Sequence, residues 1–296
     1  MLVLVQVIPG NHELLFNFTS FKSRFFMSGL GAAPAPGGAE PAEGSPARSS
    51  SLTSSTPSGT NLYSSWDAGC VHFVGICSED NFNSAYIGDQ QLEWLTKDLE
   101  AAAARRDAGA ARRRALGLAA PTVCSVAEPT FIVAYMHRPL YCTNVDSSNC
   151  QGAGASYLAS RVEGLFKQHG VNLVFAGHLH DMERTHPVFA GAVDPTGPVY
   201  VVNGAGGNRE GVSTNFITPT PAWSAMQGGV AGVGTLTVAN ASTLIWEFYR
   251  QNNGTTEVTL IDQVALHAHD RSESALAQDD ADALLEDDDD DEILLQ

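Results

Sequence analysis

Three short segments carry residues able to do chemistry: Gly10-Asn11-His12-Glu13, His137-Arg138-Pro139-Leu140-Tyr141 and Gly177-His178-Leu179-His180. Each follows an apolar, β-like run and sets imidazole or amide-oxygen ligands on a turn where a strand stops. A hydrolytic metal site is assembled in this way from separate pieces of chain. In the HxH turn, histidines at i and i+2 can face neighbouring ions about 3.5–4 Å apart. In the first segment the Asn11 amide oxygen is a hard neutral ligand, His12 can sit over a substrate, and Gly10 lets the backbone turn sharply after Pro9. His137 ends a strand, and Pro139 fixes the exit of the chain. Taken singly, each segment reads as an ordinary polar turn; their order and shared strand-end setting point to one site.

The elements that must position these turns alternate between strand and helix, then become a run of strands. Short Val/Ile/Phe runs predict strands at Met1–Ile8, Cys70–Cys77, Thr130–Met136, Asn172–Ala176, Val199–Asn203, Gly234–Ala239, Leu244–Arg250 and Glu257–Val264. Leu92, Leu95 and Leu99 stripe one face of a helix over Gly88–Arg106. Leu158, Val162, Leu165 and Phe166 stripe another over Ser156–His169. Both stripes read as core packing.

Two segments have the composition of flexible insertions, near 31–59 (Gly/Ala/Pro/Ser-rich) and 101–126 (Ala/Arg-rich, extending the first helix before becoming loop). The basic cluster of Arg105, Arg106 and Arg112–Arg114 reads as a solvated helix face. Residues 1–267 form the expected catalytic domain, and 268–296 a disordered acidic tail.

The net charge is −17, and twelve acidic residues against one arginine lie between Asp270 and Glu292, so the surplus is mostly a tail. An acidic balance argues against nucleic acid as a partner. No uncharged apolar run reaches about 18 residues, so no membrane-spanning helix is expected. Met1–Ile8 lacks a basic n-region and a cleavage site and reads as a core strand rather than a signal peptide. A reading frame that opens inside a core strand points to a missing N-terminal part. Of five cysteines, Cys142 and Cys150 flank a polar loop and could form a local disulfide, while Cys70 and Cys77 read as small buried strand residues. No CxxC pair occurs, which argues against thiolate zinc sites. Sequons at Asn17, Asn240 and Asn253 lean toward a secretory history.

Together the three turns and their flanks resemble the C-terminal part of the catalytic domain of purple acid phosphatases, in the calcineurin-like metallophosphoesterase superfamily. The supporting flanks are Asn17-Phe18-Thr19 with Arg24-Phe25, Asn61 to Asp67 with Val71-His72-Phe73, Gln91 to Leu95 with Lys97-Asp98-Leu99, Glu183-Arg184, and Asn203 to Gly207. The similarity runs from about Met1 to Val264 outside the two insertions. It implies an α/β fold, an incomplete four-layer αββα sandwich lacking its first βαβ elements. It implies a metal-dependent acid phosphatase that hydrolyses phosphate monoesters through a metal-bound hydroxide at a binuclear centre of Fe plus Zn, Mn or Fe. By the same resemblance Asn11, His137 and His178 would bind the divalent ion, His180 the ferric ion, and His12 the phosphate and the leaving group. Tyr141, Glu183 and Arg184 would be nearby supporting or structural residues.

The departures carry weight too. The family's earlier DxG and GDxxY motifs, which supply anionic ligands, are absent. Gly88-Asp89-Gln90-Gln91-Leu92 only imitates the second, and Ala134 stands where the family has Val. The expectation is therefore a truncated form that binds fewer than two metals and is not purple, with a small phosphate ester as its partner, no nucleic acid and no membrane. The compartment implied is secreted or vacuolar/lysosomal. Two other readings remain at this level: a noncatalytic secreted remnant of the fold, and a phosphodiesterase or nuclease of the same superfamily. No GxSxG elbow occurs, so a serine hydrolase is set aside.

Overall fold

The computed structural model describes residues 6–14, 16–25, 53–54, 58–79, 87–118, 124–145, 150, 153–207, 209–252 and 255–268. Most of the 31–59 insertion, Met1–Val5 and the tail after Ala268 lie outside the described residues, as does the sequon at Asn253. Gln6 to Gly10 takes no strand conformation, although Val7 and Ile8 pack against the core.

An eight-stranded mixed sheet forms the centre. Its strands are β1 (Thr53–Ser54), β2 (Ser64–Ala68), β3 (Val71–Ile76), β4 (Phe131–Met136), β5 (Leu173–Ala176), β6 (Met182–Thr185), β9 (Val199–Asn203) and β10 (Ser224–Gly228), in the order β1-β2-β3-β4-β5-β9-β6-β10. The small hairpin β7 (Val188–Phe189) and β8 (Ala192–Val193) stands apart. Strands β3, β4, β5 and β9 run parallel, and β2 and β6 flank them antiparallel. The parallel strands are covered on both faces, so their sequences are continuous apolar runs rather than alternating ones.

The crossover from β3 to β4 is helix α2 (Asp89–Ala115), and that from β4 to β5 is α3 (Ala153–His169). Both lie on one face. There Leu95, Leu99, Leu158, Val162 and Phe166 pack against Val74, Ile132, Ala134 and Val174. On the other face Val71, Phe131, Val133, Leu173 and Val201 meet Leu244, Trp246 and Phe248. Those three come from the middle strand of a second sheet, β11 (Gly232–Asn240), β12 (Thr243–Gln251) and β13 (Val258–His267). Every second residue of the first part of β12 is buried, as expected of a strand with one covered face. Arg184 on β6 donates to Asp262 on β13 at 2.7 and 2.8 Å and pins the two sheets together.

Several expectations change. Helix α2 reaches Ala115, inside the 101–126 segment expected to extend it, but the arginines along it are engaged rather than solvated. Arg105 holds Asp67 bidentately at 3.0 Å, and buried Arg106 donates to the carbonyls of His169 and Gly170 at the end of α3. A cation there offsets the helix's unpaired carbonyls. Arg112 and Arg113 reach Glu128. The basic cluster is thus a set of anchors, not a solvated face. Cys70 is not simply a buried strand residue: it is disulfide-bonded to Cys124, while Cys142 bonds to Cys150 and Cys77 is free and buried. No helix among the described residues is long and apolar enough to cross a membrane.

Candidate metal centre

The parallel strands all point their C-terminal ends to one rim, and in open α/β sheets that rim is where ligands bind. Past β3 come Ser78 and Glu79, past β4 His137 and Arg138, past β5 His178 and His180, and past β9 Gly204. Three links fix the rim. Gln91, in the first turns of α2, exchanges hydrogen bonds with both backbone groups of Cys77 (2.8 and 2.9 Å). The Arg138 amide donates to Ser78 Oγ (2.9 Å), and its guanidinium grips Glu79 at 2.6 and 3.1 Å. The Gly177 amide donates to the His137 carbonyl at 3.0 Å, tying the second turn to the third.

The HxH turn is tight. His178 is left-handed (φ 66°), a conformation non-glycine residues seldom adopt, and the Leu179 amide closes onto the Gly177 carbonyl at 2.7 Å. Leu179 is buried with Cys142 and Val202, which turns His178 and His180 outward together. Gly204 makes room beneath this turn: a Cβ there would lie 1.8 Å from the Leu179 carbonyl oxygen. Gly204→Ala is therefore expected to cost about 2–4 kcal/mol, because backbone must move on both sides of the contact. Urea unfolding checks this, and an unchanged midpoint would contradict it.

The first segment enters as a 3₁₀ turn, Asn11–Leu14. Glu13 Oε2 accepts the Gly10 amide at 2.8 Å. Gly10 does not sit at positive φ, so a sharp turn is not why it is glycine. It is glycine because the His137 ring lies on it, 2.9–3.0 Å from where a Cβ would be.

His137 Nε2 lies 2.8 Å from Asn11 Oδ1 and 3.0 Å from His178 Nδ1, with the two rings edge-on. Asn11 and His178 thus both meet the same ring nitrogen of His137. His12 and His180 stand near enough to bear electrostatically on both rings. His180 points its Nδ1 toward Glu210 (3.6 Å). Burial, then the neighbouring charges of His178 and Arg138, push His137 down to about 3. Burial and Arg138 push His178 down to about 4. Both rings are therefore neutral, and a neutral imidazole keeps a lone pair on one of its two nitrogens.

The donor set fits a cation. Nε2 of a neutral ring carries either a proton or a lone pair, yet it faces two partners. The 2.8 and 3.0 Å spacings match the roughly 3 Å edge between adjacent ligands around an ion with bonds of about 2.1 Å. No group of three or more His, Cys, Asp or Glu side chains among the described residues could hold a metal; the convergent set is two imidazoles and an amide.

The remaining rim residues are structural. Tyr141 hydrogen-bonds Glu163, and Asp89 pairs with Arg161 at the start of α2, away from the turns. Glu183, raised to about 7 by burial against the donations from Thr143, sits behind the HxH turn. Arg138 and Glu79 escaped notice in the sequence. Arg138 stands in plain view beside His137, but its partner Glu79 sits 59 positions away, and only the β3–β4 pairing joins them.

Similarity to known proteins extends over most of the chain. A family model described as iron/zinc purple acid phosphatase-like protein C matches residues 197–258. Purple acid phosphatase 18 of Arabidopsis thaliana is 29% identical over 89% of this chain and 49% of its own length. Acid phosphatase type 7 of Mus musculus is 29% identical over 74% of this chain and 43% of its own. The chain spans about half the length of the curated relatives it matches. Among solved structures, the purple acid phosphatase PPD1 from yellow lupin (Lupinus luteus) seeds superposes with a TM-score of 0.52 at 19% identity, over 69% of this chain and 32% of that one. This last likeness concerns the fold, a large mixed sheet with helices.

Proposed function

We propose that this chain, which is similar to the C-terminal part of the purple acid phosphatases, forms the metal-holding rim of an acid phosphatase acting on small phosphate monoesters. The observation that carries this reading is that Asn11 Oδ1 and His178 Nδ1 both converge on His137 Nε2, at 2.8 and 3.0 Å. These three would hold one divalent ion (zinc, manganese or iron), and His180, on the same turn, would face a second, ferric site. Bound there, the ions would offset charge on phosphate oxygens and lower the pKa of water.

The protein's own groups do the rest. Burial keeps His137 and His178 unprotonated, so they remain ligands in mild acid. Glu79 neutralises Arg138, which limits the positive charge that would otherwise repel a cation. His12, exposed and next in sequence to Asn11, is placed to contact the phosphate and to deliver a proton to the departing alcohol oxygen. Two disulfides and exposed sequon residues Asn17 and Asn240 favour an oxidising, secretory compartment.

Calorimetric titration of the chain with zinc and with manganese tests the metal assignment, and phosphate release from phenyl phosphate tests the reaction. One divalent ion per chain is expected from the three convergent donors. Two tightly held ions would mean that further groups complete the second site. No binding at all would overturn the reading.

A further inference from the structure

Beside the candidate centre a cavity of about 240 Å³ opens among His12, Glu13, Ser20, Phe21, Arg24 and Phe25. One run of chain builds it: the 3₁₀ turn that carries Asn11 and the short helix α1 (Thr19–Arg24). Phe21 is buried and forms the floor. Phe25 packs against it at 5.1 Å between ring centroids while remaining 37% exposed. Arg24 is exposed and makes no hydrogen bond or ion pair among the described residues. Its neighbour Lys22 lies over the Phe18 ring instead. The Glu13 carboxylate is committed to the Gly10 amide. The cavity therefore offers an aromatic wall, one unpaired guanidinium and the Ser20 side chain, with His12 at its mouth.

We propose that this cavity receives the alcohol half of the phosphate ester and selects aromatic alcohols that carry an anionic substituent, the ring packing on Phe25 and the anion pairing with Arg24. The proposal rests on the metal-centre reading only for where the phosphate sits. His12 follows Asn11 directly, so a phosphate held at Asn11, His137 and His178 would direct its ester oxygen past His12 into the cavity. An aliphatic alcohol would leave the exposed Phe25 face unmatched. Ring packing is worth enough to favour an arene over a methyl group by about three- to tenfold, and a solvent-exposed ion pair adds about two- to fivefold.

Non-hydrolysable probes separate this subsite from the metal centre. The zinc-treated chain is titrated calorimetrically with inorganic phosphate, methylphosphonate, phenylphosphonate and 4-carboxyphenylphosphonate. Phenylphosphonate should bind about three- to tenfold tighter than methylphosphonate, and the carboxylated probe about two- to fivefold tighter again. Phe25→Ala should erase the first difference. Arg24→Ala should erase only the second, and Arg24→Lys should keep part of it. Both positions are exposed, so these variants should fold. If phosphate binds but the aryl and methyl probes bind equally, or Phe25→Ala keeps the preference, the subsite is wrong and the metal centre stands. An aryl preference that depends on Phe25 without any phosphate binding keeps the subsite and removes the metal centre. Failure of all four probes to bind overturns both.

Discussion

Replacing His137 with alanine is expected to weaken divalent metal binding by at least about 100-fold and to take any phosphate release to background. His137 Nε2 is the atom that both Asn11 Oδ1 and His178 Nδ1 touch. Losing it leaves two donors with nothing between them, whereas Asn11→Ala or His178→Ala each leaves an adjacent pair. Removal of supporting groups around a metal already costs about 10–100-fold, and a direct ligand should cost more. The ring also packs on Gly10, so the variant should lose about 1–3 kcal/mol of stability through the hole it leaves. Zinc titration by calorimetry, with circular dichroism to show that the fold persists, checks the result. Wild-type zinc affinity in His137→Ala would remove His137 from the site.

The same residues set an acid limit. Unfolded imidazoles take up protons below about 6.5, while the folded rings stay neutral until about 3 for His137 and about 4 for His178. The unfolded state then binds more protons than the folded one. Stability from this pair is thus present above pH 6.5 and lost as pH falls toward those values. Zinc should restore part of it by binding only the folded form. Melting curves across this range, with and without zinc, read both effects.

Replacing His72 with glutamine should be the most destabilising single change away from the rim. His72 is fully buried on β3, its Nδ1 2.8 Å from Asp67 on β2 and its Nε2 2.9 Å from Asp98 on α2. Arg105 of α2 clamps Asp67 and also comes within 3.3 Å of His72 Nδ1, and Ser65 of β2 donates to Asp98 at 2.6 Å. Burial alone would push the imidazolium down, but the two carboxylates outweigh it and raise its pKa above the ordinary 6.5. Burial likewise works against the Asp67 carboxylate, but His72 and Arg105 prevail and lower its pKa below 3.8.

Glutamine there removes the central cation and leaves Asp98 buried without a charge partner, a loss of about 3–5 kcal/mol. The pH signature separates this from simple repacking. With its folded pKa raised, His72 contributes stability that is complete below pH 6.5 and disappears as pH climbs through the elevated value. The wild-type urea midpoint should therefore fall on the alkaline side of 6.5, and His72→Gln should lack that slope. Asp98→Asn added to His72→Gln should recover stability, because no uncompensated carboxylate then remains. An unaltered slope in His72→Gln would show that the imidazolium is not the charge that matters.

The parallel core was legible in the sequence. The runs ending at Ile76, Met136, Ala176 and Asn203 are covered on both faces and so are mostly apolar, with His72 the buried exception. The stripes of α2 and α3 were equally plain, because each helix buries only one face. Strands β2, β6 and β10 were not. Ser64–Ala68 carries inward Ser65 and Asp67, and Met182–Thr185 carries inward Glu183, so their polarity hid them. Those polar residues are tolerated inside only because His72 on the neighbouring strand, and Arg105, Asp98 and Thr143 from distant segments, pair with them.

The chain's order fixed by itself which residue types stand in the three turns: an amide and four imidazoles, each next to a glycine, proline or tight turn. Local sequence decides that much because strand length and turn chemistry are short-range properties. Tertiary structure alone decided that Asn11, His137 and His178 meet while His180 turns toward Glu210. It also decided that Gly10 and Gly204 are glycines because another part of the chain presses on them. Convergence depends on parallel strands lying side by side about 4.8 Å apart, and no window of sequence contains that spacing.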